Sequence, residues 1–103
     1  MTEAVEDWAT MPIPDLIKSI QTLTSQLYDQ IKTHAADEGA YQRTFWTHWQ
    51  TLSADMSVAA QNRECEWKAH LLDGQRIISR GLLEAMKAKQ ESMLAILGAR
   101  VRQ

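Results

Sequence analysis

From Ile13 to Met56 the apolar side chains return every three to four residues without losing phase. Placed at about 100° per residue, Ile13, Leu16, Ile17, Ile20, Leu23, Leu27, Ile31, Ala35, Tyr41, Phe45, Trp49, Leu52 and Met56 stay within about 60° of one direction. This pattern predicts a single amphipathic helix over about residues 14–54. Gly39 interrupts it at a cost of about 1 kcal/mol relative to alanine, and a turn at residues 37–40 is the alternative. Pro14 suits the first helical turn, and Asp15 sits at the positive end of the helix dipole. The phase resets after Met56, where Ser57 is placed to cap a second helix. Leu71, Leu72, Ile78, Leu82, Met86, Met93, Ile96, Leu97 and Val101 then form a broader stripe, which predicts a helix over about 57–101. Gly74 and Gly81 are the places where that helix would kink or break, and Asp73-Gly74 is a turn dipeptide.

Two helices of about 44 residues would each be about 65 Å long. A hairpin of that length buries side chains only along a thin seam, and a small chain with a thin seam is marginal in stability. The expected fold is therefore all-α, a long antiparallel helical hairpin that assembles with copies of itself as a bundle or ring. Ile20, Leu23, Leu27, Ile31, Phe45, Trp49, Leu82, Met86, Met93 and Leu97 are the expected oligomer core. Residues 1–12 lack a sustained period and read as a flexible acidic arm whose Trp8 can dock. Residues 13–103 read as one helical domain.

Composition narrows the class. The 103 residues are 45% hydrophobic and 23% charged, as in a globular chain, and no apolar run approaches the roughly 20 residues of a spanning helix. Glu3, Glu6 and Asp7 stand where an export signal would be basic and then apolar, so no export, no membrane and a cytoplasmic location are expected. A lone Cys65 agrees with a reducing compartment. The net charge of −2 conceals a division. Residues 1–56 hold three basic side chains against eight acids, and residues 57–103 hold eight basic against five. The second helix is thus the candidate for a polyanion. Arg76, Arg80 and Lys87 fall within about 40° of one another on a regular helix, with Arg100 and Arg102 beyond them. The same residues also read as ordinary surface charge, with Arg80 facing Glu84, Lys87 facing Glu91, and Arg100 and Arg102 favoured by the helix C-terminus.

Few residues suggest bond-making chemistry. His34 with Glu38, and Glu66 with His70, are four-residue pairs but match no metal motif, so neither a metal nor a cofactor is expected. Cys65 lacks the electropositive surroundings of a reactive thiol, and a helical hairpin supplies no nucleophile elbow, so the chain is not expected to be an enzyme. In the stretch from Tyr41 to Trp49, Tyr41, Phe45 and Trp49 lie on the apolar stripe as interior or interface residues. Trp46 points about 80° away, on the side of Tyr28, and suits a protein anchor or a stacking platform for a base. Trp67, beside Lys68, is a similar case.

The order Tyr28-Asp29-Gln30-Ile31, Tyr41 followed by Arg43, the Ser57-Val58-Ala59-Ala60 start, Arg63-Glu64, and the ending with Leu94, Leu97, Gly98, Val101 and Arg102 resembles small all-helical proteins of tailed-phage and prophage recombination modules. More distantly, it is similar to the UvsY-like recombination mediators. That resemblance spans roughly residues 16–102. It implies an oligomeric accessory protein that binds single-stranded DNA weakly and engages a recombinase or a single-strand-binding protein. Arg76, Arg80, Lys87, Arg100 and Arg102 would supply the phosphate contacts, multiplied by avidity in a ring. The competing expectation is a helical protein-interaction module, such as a virion assembly factor or an inhibitor of a host protein, that never touches DNA.

Overall fold

The computed structural model describes residues 7–103, and among these it contains helices and no strands. Helix α1 spans Ile13–Trp49, α2 Val58–Lys68 and α3 His70–Val101. α1 runs through Gly39 unbroken, as its phase predicts, but it stops at Trp49 rather than near 54. The reason is local. Thr51 Oγ1 donates to the His48 carbonyl at 2.7 Å, and Ser53 Oγ accepts the Asp55 N–H at 3.2 Å. Such side chain to backbone bonds compete with the helical ladder. Ser57 caps α2 as expected, its hydroxyl accepting the Ala60 N–H.

The single second helix is corrected to two. α2 ends at Lys68, with Ala69 at φ −100° and ψ 8°, and the chain resumes as α3 at His70. Neither Gly74 nor Gly81 breaks it. At the junction the His70 ring donates from Nδ1 to the Trp67 carbonyl at 2.6 Å, taking the acceptor that a continuing helix would offer to Leu71.

The described residues divide into two compact units where the pattern reads as one domain. The terminal unit consists of the residues through Asp29 together with Glu84–Gln103. Its core is Leu16, Leu23 and Met93, with Trp8, Met11, Ile20, Met86, Ile96 and Leu97 packed against it. α1 and α3 are antiparallel here: Gln90 Nε2 donates to Thr24 Oγ1 at 2.8 Å, and Arg100 reaches back to the turn preceding α1. Of the arm expected to be flexible, residues 1–6 lie outside the described residues. Asp7–Pro12 instead forms a docked turn. Ala9 N–H bonds to Asp7 Oδ1, and Arg100 Nη1 donates to the carbonyls of Trp8, at 2.9 Å, and Met11.

The central unit is Gln30–Leu83. Its buried residues are small or polar apart from one: Cys65, Ala69, Ser79 and Leu83. The helices are again antiparallel, with Gln30 and His34 facing Ser79, and Glu38 facing Arg76. A half-buried ladder of Tyr41, Phe45 and Trp49, with ring centroids 6.0 and 6.1 Å apart, adds apolar packing toward the end of α1. No helix among the described residues is long and apolar enough to cross a membrane.

Candidate functional site

In the central unit the seam between α1 and α3 is polar. Ser79 is buried, and its hydroxyl donates to the Arg76 carbonyl at 3.1 Å. The same hydroxyl lies 3.0 Å from His34 Nδ1, in hydrogen-bond contact across the seam. Gln30 Nε2 donates to the Ser79 carbonyl at 3.0 Å. One turn further on, Glu38 receives Arg76 at 3.3 Å and Arg80 at 2.9 Å, while Arg76 Nε also donates to Asp73 at 2.6 Å. The Arg76 guanidinium lies 3.9 Å over the Tyr41 ring. Burial acts to raise the Glu38 carboxyl, but the hydrogen bonds from Arg80 and Arg76 outweigh it and hold the group below its ordinary value. Arg76 is raised by its bond to Asp73 and, against the cost of burial, by Glu38. Burial raises the Tyr41 hydroxyl and the Cys65 thiol, which leaves Cys65 a packed and protonated side chain.

The cations expected to meet phosphate thus have partners within the chain. Arg76 and Arg80 share Glu38, Lys87 lies 3.9 Å from Glu84, Arg100 clamps the N-terminal turn, and Arg102 Nε donates to the Gly98 carbonyl at 3.1 Å. The expected pairs of Arg80 with Glu84 and Lys87 with Glu91 are replaced by these. Across the α1–α3 seam Glu38 is the acid that meets the α3 cations, and within each unit the charges balance. The central unit carries six basic and six acidic side chains, and the described part of the terminal unit five of each.

The expected oligomer core separates into two groups. Leu23, Leu27 and Met93 are buried within the chain, and Ile20, Phe45, Trp49, Met86 and Leu97 are partly buried. Ile31 and Leu82 stand exposed. Trp46, Tyr28 and Trp67 are exposed as expected of anchors, although Trp46 Nε1 is bonded to Gln42 at 3.0 Å and the Trp67 ring stacks on His70 at 4.7 Å. The exposed side of α3 beside the polar seam is aliphatic, and Ile78 and Leu82 border a shallow hollow with Gln30, Thr33, Asp37 and Ser79. Leu71, Ile77, Ile78 and Leu82 are 73, 56, 66 and 53% exposed.

A second feature escaped the sequence reading. Arg43, Thr44, Thr47, His48, Thr51 and Lys68 surround an open hollow of about 440 Å³ with no carboxylate in its lining. Lys68 lies far from the others in sequence, so no spacing rule would have joined them. His34 and Glu38 are 3.8 Å apart, but among the described residues no three His, Cys, Asp or Glu side chains gather as a metal would require.

The fold and these surfaces define an all-α helical hairpin with an internally neutralised seam and an uncovered apolar helix face. No protein-family model matches the chain, and no curated protein or solved structure matches it.

Proposed function

We propose that this chain is a helical protein-interaction module whose exposed apolar side chains engage protein rather than nucleic acid. One observation carries the reading: in the central unit the charged residues of α3 face Glu38 and one another, while Leu71, Ile77, Ile78 and Leu82 face solvent. A soluble chain exposes single apolar residues freely, but a contiguous stretch marks a contact surface. Arg76, by contrast, already gives donors to Glu38 and Asp73, and Arg80 shares Glu38, which weakens the positive field they offer a polyanion. The test is a titration of labelled single-stranded oligonucleotide at low and near-physiological salt, with a duplex control. The module reading expects no binding even at low salt.

A second reading is that of an oligomeric, mediator-like accessory protein of phage recombination, which binds single-stranded DNA weakly together with a recombinase or single-strand-binding protein. The hollow bounded by Arg43, His48 and Lys68 favours it, since two cations line it and no carboxylate does. Salt-sensitive binding in the same titration, abolished in an R43E/K68E variant, would replace the first reading with this one.

A further inference from the structure

We infer that the outer face of α3 in the central unit is a two-fold self-association surface whose occupant is a second copy of this chain. The inference rests on the protein-interaction reading and names one partner for it.

The face consists of Leu71, Gly74, Ile77, Ile78, Gly81 and Leu82. The charged residues of the same stretch, Asp73, Arg76 and Arg80, are engaged on the other side of the helix with Glu38 and with each other. The four aliphatic side chains leave roughly 450 Å² uncovered, the size of the largest apolar patch on a typical monomer, which is often a functional contact. Doubled across a two-fold axis, this gives about 900 Å². That is below the roughly 1,200 Å² at which standard interfaces begin and fits a weak, concentration-dependent dimer.

The sequence of the face selects a copy of itself. Gly74-Gln75-Arg76-Ile77-Ile78-Ser79-Arg80-Gly81 is symmetric in its outward positions about the bond between Ile77 and Ile78. A glycine lies three residues before the first isoleucine and three after the second. On a helix the two glycines point nearly the same way, with one isoleucine splayed to either side. An antiparallel copy crossing at that point therefore sets Gly74 opposite Gly81 and meets isoleucine with isoleucine. Such a patch meets itself through one axis, which is the condition for a closed two-fold dimer. The glycines serve the approach: a Cβ added at either position would meet nothing within 4 Å in the chain, so neither glycine is required by packing within the monomer. Each costs about 1 kcal/mol of helix propensity, which close backbone contact in a dimer explains.

Sedimentation velocity on the full chain, from about 1 to 200 µM, tests this against I78K. The wild type is expected to form a dimer, and I78K to be monomeric or about 100-fold weaker, with unchanged far-UV circular dichroism. A wild type that is monomeric throughout overturns the proposal, as does an I78K chain that dimerises equally well. G81L provides a second test: its side chain enters open space in the monomer, so the chain folds, yet it holds the two helices apart and is expected to weaken the dimer at least tenfold. Unchanged affinity in G81L overturns the proposal as well. A monomeric wild type that also ignores DNA removes only the second copy as partner. DNA binding by a wild-type dimer instead removes the protein-only reading and leaves this interface standing.

Discussion

Leu16, Leu23 and Met93 close the terminal unit with side chains that need only each other. In the central unit the same two helices meet through Gln30, His34, Glu38, Arg76 and Ser79. Burying an aliphatic side chain contributes about 1.5–3 kcal/mol and tolerates small shifts, whereas a hydrogen bond contributes about 0.5–1.5 kcal/mol net and demands a fixed register. The terminal unit is therefore the stronger clamp and the central unit the stricter ruler. The contrast also accounts for where the aliphatic residues of α3 went. With polar side chains satisfied in the seam, Leu71, Ile77, Ile78 and Leu82 are left for an outside surface.

Breaking the apolar clamp should have the largest effect. Met93→Ala is expected to lower unfolding free energy by about 2–5 kcal/mol in urea titration, while Leu82→Ala, at an exposed position, should change it by less than about 0.5 kcal/mol in the monomer. Equal losses would erase the distinction between the units. Arg100→Ala removes charged donors from the Trp8 and Met11 carbonyls, at an expected cost of about 1.5–3 kcal/mol. Limited proteolysis should then cut the Asp7–Pro12 turn faster than in the wild type. Ser79→Ala takes the hydroxyl from His34 and is expected to cost about 1 kcal/mol, with little change if the ruler does not depend on that bond.

The smallest effect is a pH dependence. The Glu38 carboxyl is held below its ordinary value in the folded chain, so its contribution is full above that value and is lost as pH falls through the folded one. The wild type should therefore melt above E38Q near neutral pH, and the two should converge on acidification below about pH 4. Parallel curves from pH 7 to 3 would show that Arg76 and Arg80 do not depend on the charge.

α1 was legible because its apolar period survives Gly39, and the start of α2 was legible because Ser57 precedes a phase reset. The break at Ala69 was not, since it depends on a histidine ring claiming the Trp67 carbonyl rather than on a glycine or proline. The inward face of α3 was misread for a related reason. Its apolar stripe leads through Leu71, Ile78 and Leu82, but its buried line runs through Leu72, Arg76, Ser79, Leu83, Met86, Gln90 and Met93. Pattern rules place polar residues outside. They cannot see that Thr24, Gln30, His34 and Glu38 wait across the seam to satisfy them. Likewise, spacing on α3 could not show that Arg76 and Arg80 share Glu38 of α1.

The terminal unit is assembled from two stretches with the whole of Gln30–Leu83 between them. A ribosome delivers Leu16, Leu23 and Leu27 long before Met93 and Arg100, so the most apolar part of α1 emerges with nothing to cover it. The contiguous central unit can begin to organise sooner, while the terminal unit waits for the second half of α3 to be synthesised. During that interval the exposed leucines are the stretch on which a nascent-chain chaperone would act.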